Sequence, residues 1–258
     1  MRDKKVYIIL LIILVVFFLV MFFAFGVTNI RQGKQNTTIL IGDDTIWSYD
    51  KKKWLSLTTR SSIEKLNWKE FQVYLDNEKF GSYYLWHDDK WYAFDSKKNA
   101  VSLDGEFLAY RANCEMKILP FQEENIVDYT YVDAVLKEND LSLSSLFTTT
   151  SKISLDFDDD GADEDFYLIS NAFPLDFEPE KIFSIVFMVK NEEIYYIYND
   201  ISDNRSFNGC KPYFTSFLDA DNDNNLEFIL SCGGYSTSEP VHMLYEYEQD
   251  AFKIAISN

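Results

Sequence analysis

Basic side chains are in short supply. The 258-residue chain carries 24 lysines and arginines against 42 aspartates and glutamates, a formal net charge of −18. Even these cations are unevenly spread. Arg2, Lys4, Lys5, Arg31 and Lys34 leave residues 1–34 at +4, so residues 35–258 stand at −22. Nucleic-acid affinity comes from neutralising phosphates with Lys and Arg, so the charge argues against DNA or RNA as a partner. It argues equally against an anionic membrane surface as the partner of the main domain, and it favours cations. Histidine and cysteine are also scarce. The two His are His87 and His242, and the three Cys (Cys114, Cys210, Cys232) show neither a C-x-x-C pair nor Cys/His zinc spacing. G-x-S-x-G, H-E-x-x-H, P-loop and Rossmann fingerprints are missing. No named catalytic motif is therefore present. One enzymatic alternative stays open, a cell-wall or glycan hydrolase, because that chemistry needs only a carboxylate pair in an aromatic setting.

Hydrophobic residues make up 47% of the chain, enough to exclude wholesale disorder. Val6 to Val27 is an uncharged run of 22 residues. As a helix it spans a bilayer core of about 30 Å. Arg2, Lys4 and Lys5 precede it, which keeps residues 1–5 as a cytoplasmic tail and sends the C-terminal part outside. The run exceeds the h-region of a signal peptide, although Ala24-Phe25-Gly26 loosely fits a cleavage site. The expectation is a single-pass cell-membrane protein, anchored through Val6–Val27, with an extracytoplasmic domain. Residues 28–38 are polar and read as a linker.

Beyond residue 38, short apolar and aromatic runs alternate with charged turns, the pattern of an all-β domain. In an N-terminal half, residues 39–122, strands are expected at Thr38–Ile41, Thr45–Tyr49, Lys53–Leu57, Phe71–Leu75, Ser82–Trp86 and Trp91–Phe94. Asn99–Leu103 and Glu106–Tyr110 flank Asp104-Gly105, a two-residue hairpin signal. Trp47, Trp54, Trp86 and Trp91 fall at strand positions and read as aromatic core and cross-strand pairs rather than as a ligand platform. Residues 123–150 form a connector. Ile126, Tyr129, Val132, Val135 and Leu136 have helical spacing, so one short helix is expected over about residues 127–138. The C-terminal half, residues 151–258, contains two sets of four strands. The first set is Ser151–Leu155, Asp165–Ser170, Lys181–Lys190 and Glu193–Tyr198; the second is Tyr213–Leu218, Glu227–Cys232, Val241–Tyr247 and Phe252–Ile256. Tandem four-stranded antiparallel units suggest a β-propeller-like array.

The two sets share a motif. Asp156-Phe157-Asp158-Asp159-Asp160-Gly161-Ala162-Asp163-Glu164 recurs 63 residues later as Asp219-Ala220-Asp221-Asn222-Asp223-Asn224-Asn225-Leu226-Glu227. Both read D-x-D-x-D-[GN]-x-x-E between strands. Acids at positions 1, 3 and 5 of a turn can converge on one hard cation, and Ca²⁺ accepts six to eight oxygens in irregular geometry. Position 6 needs a sharp turn with positive φ, which suits Gly161 and, next best, Asn224. An EF-hand is excluded, because the twelfth residues are Tyr167 and Leu230 rather than Glu. Without an ion the motif is simply two acidic solvent-exposed turns.

These loops resemble the calcium loops of FG-GAP/VCBS-type β-propeller repeats, as in integrin α-chains and bacterial surface proteins. The resemblance covers about residues 151–258. It implies two Ca²⁺ sites. One would be held by Asp156, Asp158, Asp160, the Ala162 carbonyl and Glu164. The other would be held by Asp219, Asp221, Asp223, the Asn225 carbonyl and Glu227. It also implies a surface role, binding a protein or glycan. A structural or assembly subunit is a third reading.

Two smaller features remain. If Leu218 pairs near Glu227, residue 210 lies near 235, so a Cys210–Cys232 disulfide and three buried thiols are both open. Asn36-Thr37-Thr38 and Asn204-Arg205-Ser206 match the glycosylation triplet.

Overall fold

The computed structural model describes residues 37–50, 53–75, 78–103, 107–111, 116–143, 148–171, 181–202, 210–221, 223–234, 240–248 and 251–258. The described residues all fall within one compact unit. Val6–Val27, Asp104-Gly105, Cys114, Asn36 and Asn204 lie outside the described residues. Among the described residues no helix is long and apolar enough to cross a membrane.

The described chain is mostly antiparallel sheet, with two short helices. The N-terminal half builds β1 (Thr37–Ile41), β2 (Thr45–Asp50), β3 (Lys53–Ser56), α1 (Arg60–Glu64), β4 (Lys69–Leu75), β5 (Glu78–His87), β6 (Trp91–Phe94), β7 (Ala100–Val101) and β8 (Phe107–Arg111). Then come β9 (Ile118–Leu119), α2 (Thr130–Glu138), β10 (Thr149–Leu155), β11 (Glu164–Ser170), β12 (Ile182–Lys190) and β13 (Glu193–Ser202). The chain ends with β14 (Cys210–Leu218), β15 (Glu227–Gly234), β16 (Val241–Glu248) and β17 (Ala251–Ser257). β1 thus starts inside the segment assigned to the linker.

Three sheets result. The first eight strands form one sheet in the order β3-β2-β1-β8-β4-β5-β6-β7; β10 to β13 form a four-stranded sheet; β14 to β17 with β9 form a five-stranded sheet. The two expected sets of four strands are therefore present in the C-terminal half, the second joined by β9, while the N-terminal half is not built of four-stranded units. The strands expected to flank Asp104-Gly105 as a hairpin are not paired with each other. β8 inserts between β1 and β4, while β7 pairs with β6. The reason is burial: β8 is covered on both faces, with Leu108 and Tyr110 in one core and Phe107 and Ala109 in another, and only a central position supplies that cover.

Period-two alternation sorts side chains between layers. In β11, Phe166 and Leu168 face the five-stranded sheet, while Tyr167 and Ile169 meet Val132, Val135 and Leu136 of α2. In β15, Phe228 and Leu230 face the four-stranded sheet, and Ile229 faces Ile39, Trp47 and Tyr110 of the eight-stranded one. The five-stranded sheet is thus the middle layer. The outer two sheets share no core, so the described residues form a row of layers and show no closed propeller.

The eight-stranded sheet curls on itself. Trp91 N–H donates to Asp43 Oδ1 at 3.1 Å, linking β6 to the β1–β2 turn. In a flat sheet those strands would stand about 19 Å apart. The curl encloses Leu40, Phe71, Val73, Leu85 and Ala109. α1, absent from the sequence reading, is capped by Thr59, whose side chain accepts from Ser62 N–H. α2 starts at Thr130 rather than 127 because the Asp128 carboxylate takes the Thr130 N–H at 2.9 Å, an Asx-type start.

A cross-strand disulfide, Cys210–Cys232, ties β14 to β15 with the Cα atoms 5.2 Å apart. Nearby, His242 is buried on β16, with Nδ1 2.6 Å from Ser231 Oγ. Its backbone N–H bonds the Asn258 side chain, which donates in turn to Thr45 Oγ1 of β2. Burial pulls the His242 imidazole down to about 4. An ordinary histidine titrates near 6.5, so the unfolded chain takes up the proton first. Stability from this group is full above pH ~6.5 and fades as pH falls toward ~4, by about 2–3 kcal/mol at pH ~4.5. Urea unfolding at pH ~7 and ~4.5 should show that loss in the wild type and not in His242→Gln. Equal losses in both proteins would remove His242 from the account.

Candidate metal centre

The two acidic loops close equivalent hairpins. Leu155 pairs with Glu164 at the end of β10–β11, and Leu218 pairs with Glu227 at the end of β14–β15. The same four side chain-to-backbone bonds fold each loop. The position-1 carboxylate accepts from the N–H groups of positions 5 and 6. These are Asp156 with Asp160 and Gly161, both at 3.1 Å, and Asp219 with Asp223 and Asn224, at 3.0 and 3.1 Å. The position-5 carboxylate accepts from position 7: Asp160 from Ala162 at 2.8 Å and Asp223 from Asn225 at 2.9 Å. The position-9 carboxylate reaches back to position 2: Glu164 to Phe157 N–H at 2.9 Å and Glu227 to Ala220 N–H at 2.6 Å.

Position 6 is left-handed in both loops, with φ of 89° at Gly161 and 71° at Asn224. Nothing lies within 4 Å of a Cβ built on Gly161, so the backbone angle, not crowding, is what favours glycine there. Position 2 points inward in each loop. Phe157 enters the core between the four- and five-stranded sheets, and Ala220 the core between the five- and eight-stranded sheets. Lys117, just before β9, contacts both loops: its carbonyl accepts from Asp219 N–H at 2.9 Å, and its Nζ lies 3.7 Å from Asp159 Oδ1.

Not every expected ligand converges. In the first loop, oxygens of Asp156, Asp158 and Glu164 lie within 4.8 Å of one another; in the second, those of Asp219, Asp221 and Asp223 do. Asp160 and Glu227 sit in the same loops but outside these groups, each holding a backbone N–H. Ala162 and Asn225 follow the left-handed residue and are exposed. Glu164, Asp219, Asp221 and Glu227 are buried, the most exposed of them at 5%. Burial is the main cause that raises Glu164 and Asp219 above the ordinary carboxylate range, and it raises Glu227 well above it. Such groups suit a divalent cation, which would offset their desolvation and mutual repulsion. Oxygen-only donors in an irregular cage fit Ca²⁺ better than Mg²⁺, which requires near-octahedral order. Lys190 entered the sequence reading only as the end of a strand, not as a site residue. Its Nζ donates to Asp158 Oδ2 and lies 4.0 Å from Glu164 Oε1. Only strand register reveals it, since 26 residues separate it from Glu164.

No family model matches the chain, and neither curated proteins nor solved structures yield a match.

Proposed function

We propose that this chain is a membrane-anchored, extracytoplasmic β-repeat protein of the FG-GAP/VCBS type. Two calcium ions stabilise it, and it binds a surface ligand, a glycan before a protein. Val6–Val27 supplies the anchor. Calcium is bound by the D-x-D-x-D-[GN]-x-x-E loops, in support of which both copies share one hydrogen-bond scheme.

One observation favours a glycan. The outer face of β4–β6, beyond the part covered by the five-stranded sheet, is aromatic. Tyr84 stands opposite Phe94 and Trp86 opposite Tyr92. Trp68 packs on Phe94 with ring centroids 5.0 Å apart, and Trp86 on Tyr92 at 5.7 Å. Trp68 is 49% exposed and sits at φ 60°, a backbone angle that costs a bulky residue energy. Polar groups border the rings. Glu70 is the cross-strand partner of Tyr84, and Gln72 donates to Ser82 Oγ. Flat rings beside carboxylate and amide groups match the apolar faces and hydroxyl edges of sugars. The domain's net charge of −22 turns away anionic polymers, so a neutral glycan is the expected ligand. Trp86 is half-buried on this face and paired across the strands with Tyr92, while Trp47 and Trp91 are core as expected. The test is co-sedimentation of the protein with insoluble neutral polysaccharides and with cell-wall material. Trp68→Ala and Trp86→Ala should each weaken retention about tenfold with an unchanged melting temperature, the loss expected for about 1.4 kcal/mol. Retention equal to wild type in both variants rejects the glycan reading.

A further inference from the structure

We propose that Lys190 is a tethered counter-cation of the first loop, holding the position calcium takes and leaving it when the ion binds. The proposal rests on the calcium reading above and adds a second state to it.

The backbone places this lysine. Lys190 ends β12, and extending the β11–β12 register one step past Asp165↔Val189 sets it opposite Glu164. Asn191 and Glu192 follow with φ of 51° and 67°. Two successive positive φ values make a tight hairpin turn whose twist matches its strands, so the end of β12 is fixed. The side chain then reaches the convergent carboxylates. Nζ donates to Asp158 Oδ2 and stands 4.0 Å from Glu164 Oε1. These are two of the three acids whose oxygens gather in this loop. The lysine side chain is 16% exposed and that of Glu164 only 3%. A charge so withdrawn from water needs a partner, and here each supplies the other's.

Calcium needs the same oxygens. An ammonium and a divalent ion a few ångström apart in one carboxylate cage repel strongly, so the two occupy it in turn. The displaced ammonium has a nearby refuge. Nζ already lies 6.0 Å from the centre of the Tyr247 ring, at the edge of cation–π range. The second hairpin is built differently: the register partner of Glu227 is Glu246. Exchange between a lysine and an ion thus belongs to the first loop. It follows that this loop keeps its shape at low calcium and has its calcium affinity lowered by the cost of displacing Lys190.

The test uses the purified full chain carrying Asp221→Asn, which disables the second loop. Calcium titrations by calorimetry compare that protein with the same protein carrying Lys190→Met, Lys190→Gln or Lys190→Arg. Melting is followed in EGTA and in excess calcium. The Met and Gln variants should bind calcium at least tenfold tighter and melt lower in EGTA, with calcium recovering the loss; the Arg variant should follow the parent. Equal affinities across the series overturn the counter-cation role while the calcium reading stands. No calcium binding by any of the proteins overturns both.

Discussion

Phe157→Ala should cost about 4 kcal/mol of folding free energy and weaken calcium binding by the first loop in the same protein. Phe157 is only 3% exposed. Its ring lies 5.4 Å from Phe166, 6.2 Å from Phe217 and 6.1 Å from Phe228, mostly in edge-to-face contacts that add to simple burial. Tyr247 and Phe252 close the other side at 6.1 and 6.2 Å. The residue joins two of these strands' sheets, since Phe166 lies in the four-stranded sheet and Phe217 and Phe228 in the five-stranded one. It is also position 2 of the loop, and its N–H holds the Glu164 carboxylate. Removing the ring empties a densely packed site and releases the backbone that aims Glu164. Stability and ion affinity should therefore fall together. Phe157→Leu keeps most of the volume and should lose about half as much. Urea unfolding and calcium titration measure the two effects. A stability change within about 0.5 kcal/mol for the alanine variant would show that the loop is not anchored through this core.

Where local chemistry decided the fold, the sequence was legible. All eight strands from β10 to β17 lie within a few residues of their expected positions, because each is a distinct apolar or aromatic run, and β10–β11 and β14–β15 are each closed by a recognisable acidic turn. The left-handed angles of Gly161 and Asn224 follow from the same turn chemistry. Counting along the pair of strands brought Cys210 and Cys232 within reach but left a bridge and buried thiols both open; the structure has the bridge, and the bulge near Phe214 shifts the count so that Cys210 faces Gly234. Non-local pairing was not legible. An Asp-Gly dipeptide marks where a chain can reverse, but it does not rank a local hairpin against insertion of β8 between β1 and β4. That choice depends on burying Phe107 to Tyr110 on both faces. α1 spans Arg60–Glu64, too short for helical periodicity to register. Trp86 takes the cross-strand role expected of it, paired with Tyr92, but its face of the sheet was not legible for a related reason. Trp86 and Trp91 look alike in sequence, and only the curl of the sheet sends Trp91 inward and leaves Trp86 outside.

Removal of calcium should lower the melting temperature of the chain by about 10 °C or more. An ion at a hundredfold excess over its dissociation constant stabilises by about 2.7 kcal/mol, and two sites roughly double that. For a domain of this size each kcal/mol moves the midpoint by about 2–4 °C. The source of the effect is the cost of the ion-free loops. Glu164, Asp219, Asp221 and Glu227 are buried beside other acids, and burial already pushes Glu164, Asp219 and Glu227 toward their neutral forms. A divalent ion offsets that repulsion at the place where the hairpin strands part. Position 3 is the informative site to mutate. Positions 1, 5 and 9 hold backbone N–H groups in both loops, so changing them damages the turn with or without an ion. Asp221 contributes to the oxygen cluster and takes no part in that repeated scheme. Asp221→Asn should therefore leave the melting temperature in EGTA within a few degrees of wild type and remove about half of the rise that calcium produces. Magnesium should restore less than calcium in either protein, because it demands a near-octahedral order that this set of carboxylates does not supply. Identical melting curves for the wild type in EGTA and in millimolar calcium would end the calcium reading, and the acidic turns would then stand as hairpin caps held by their own backbone bonds.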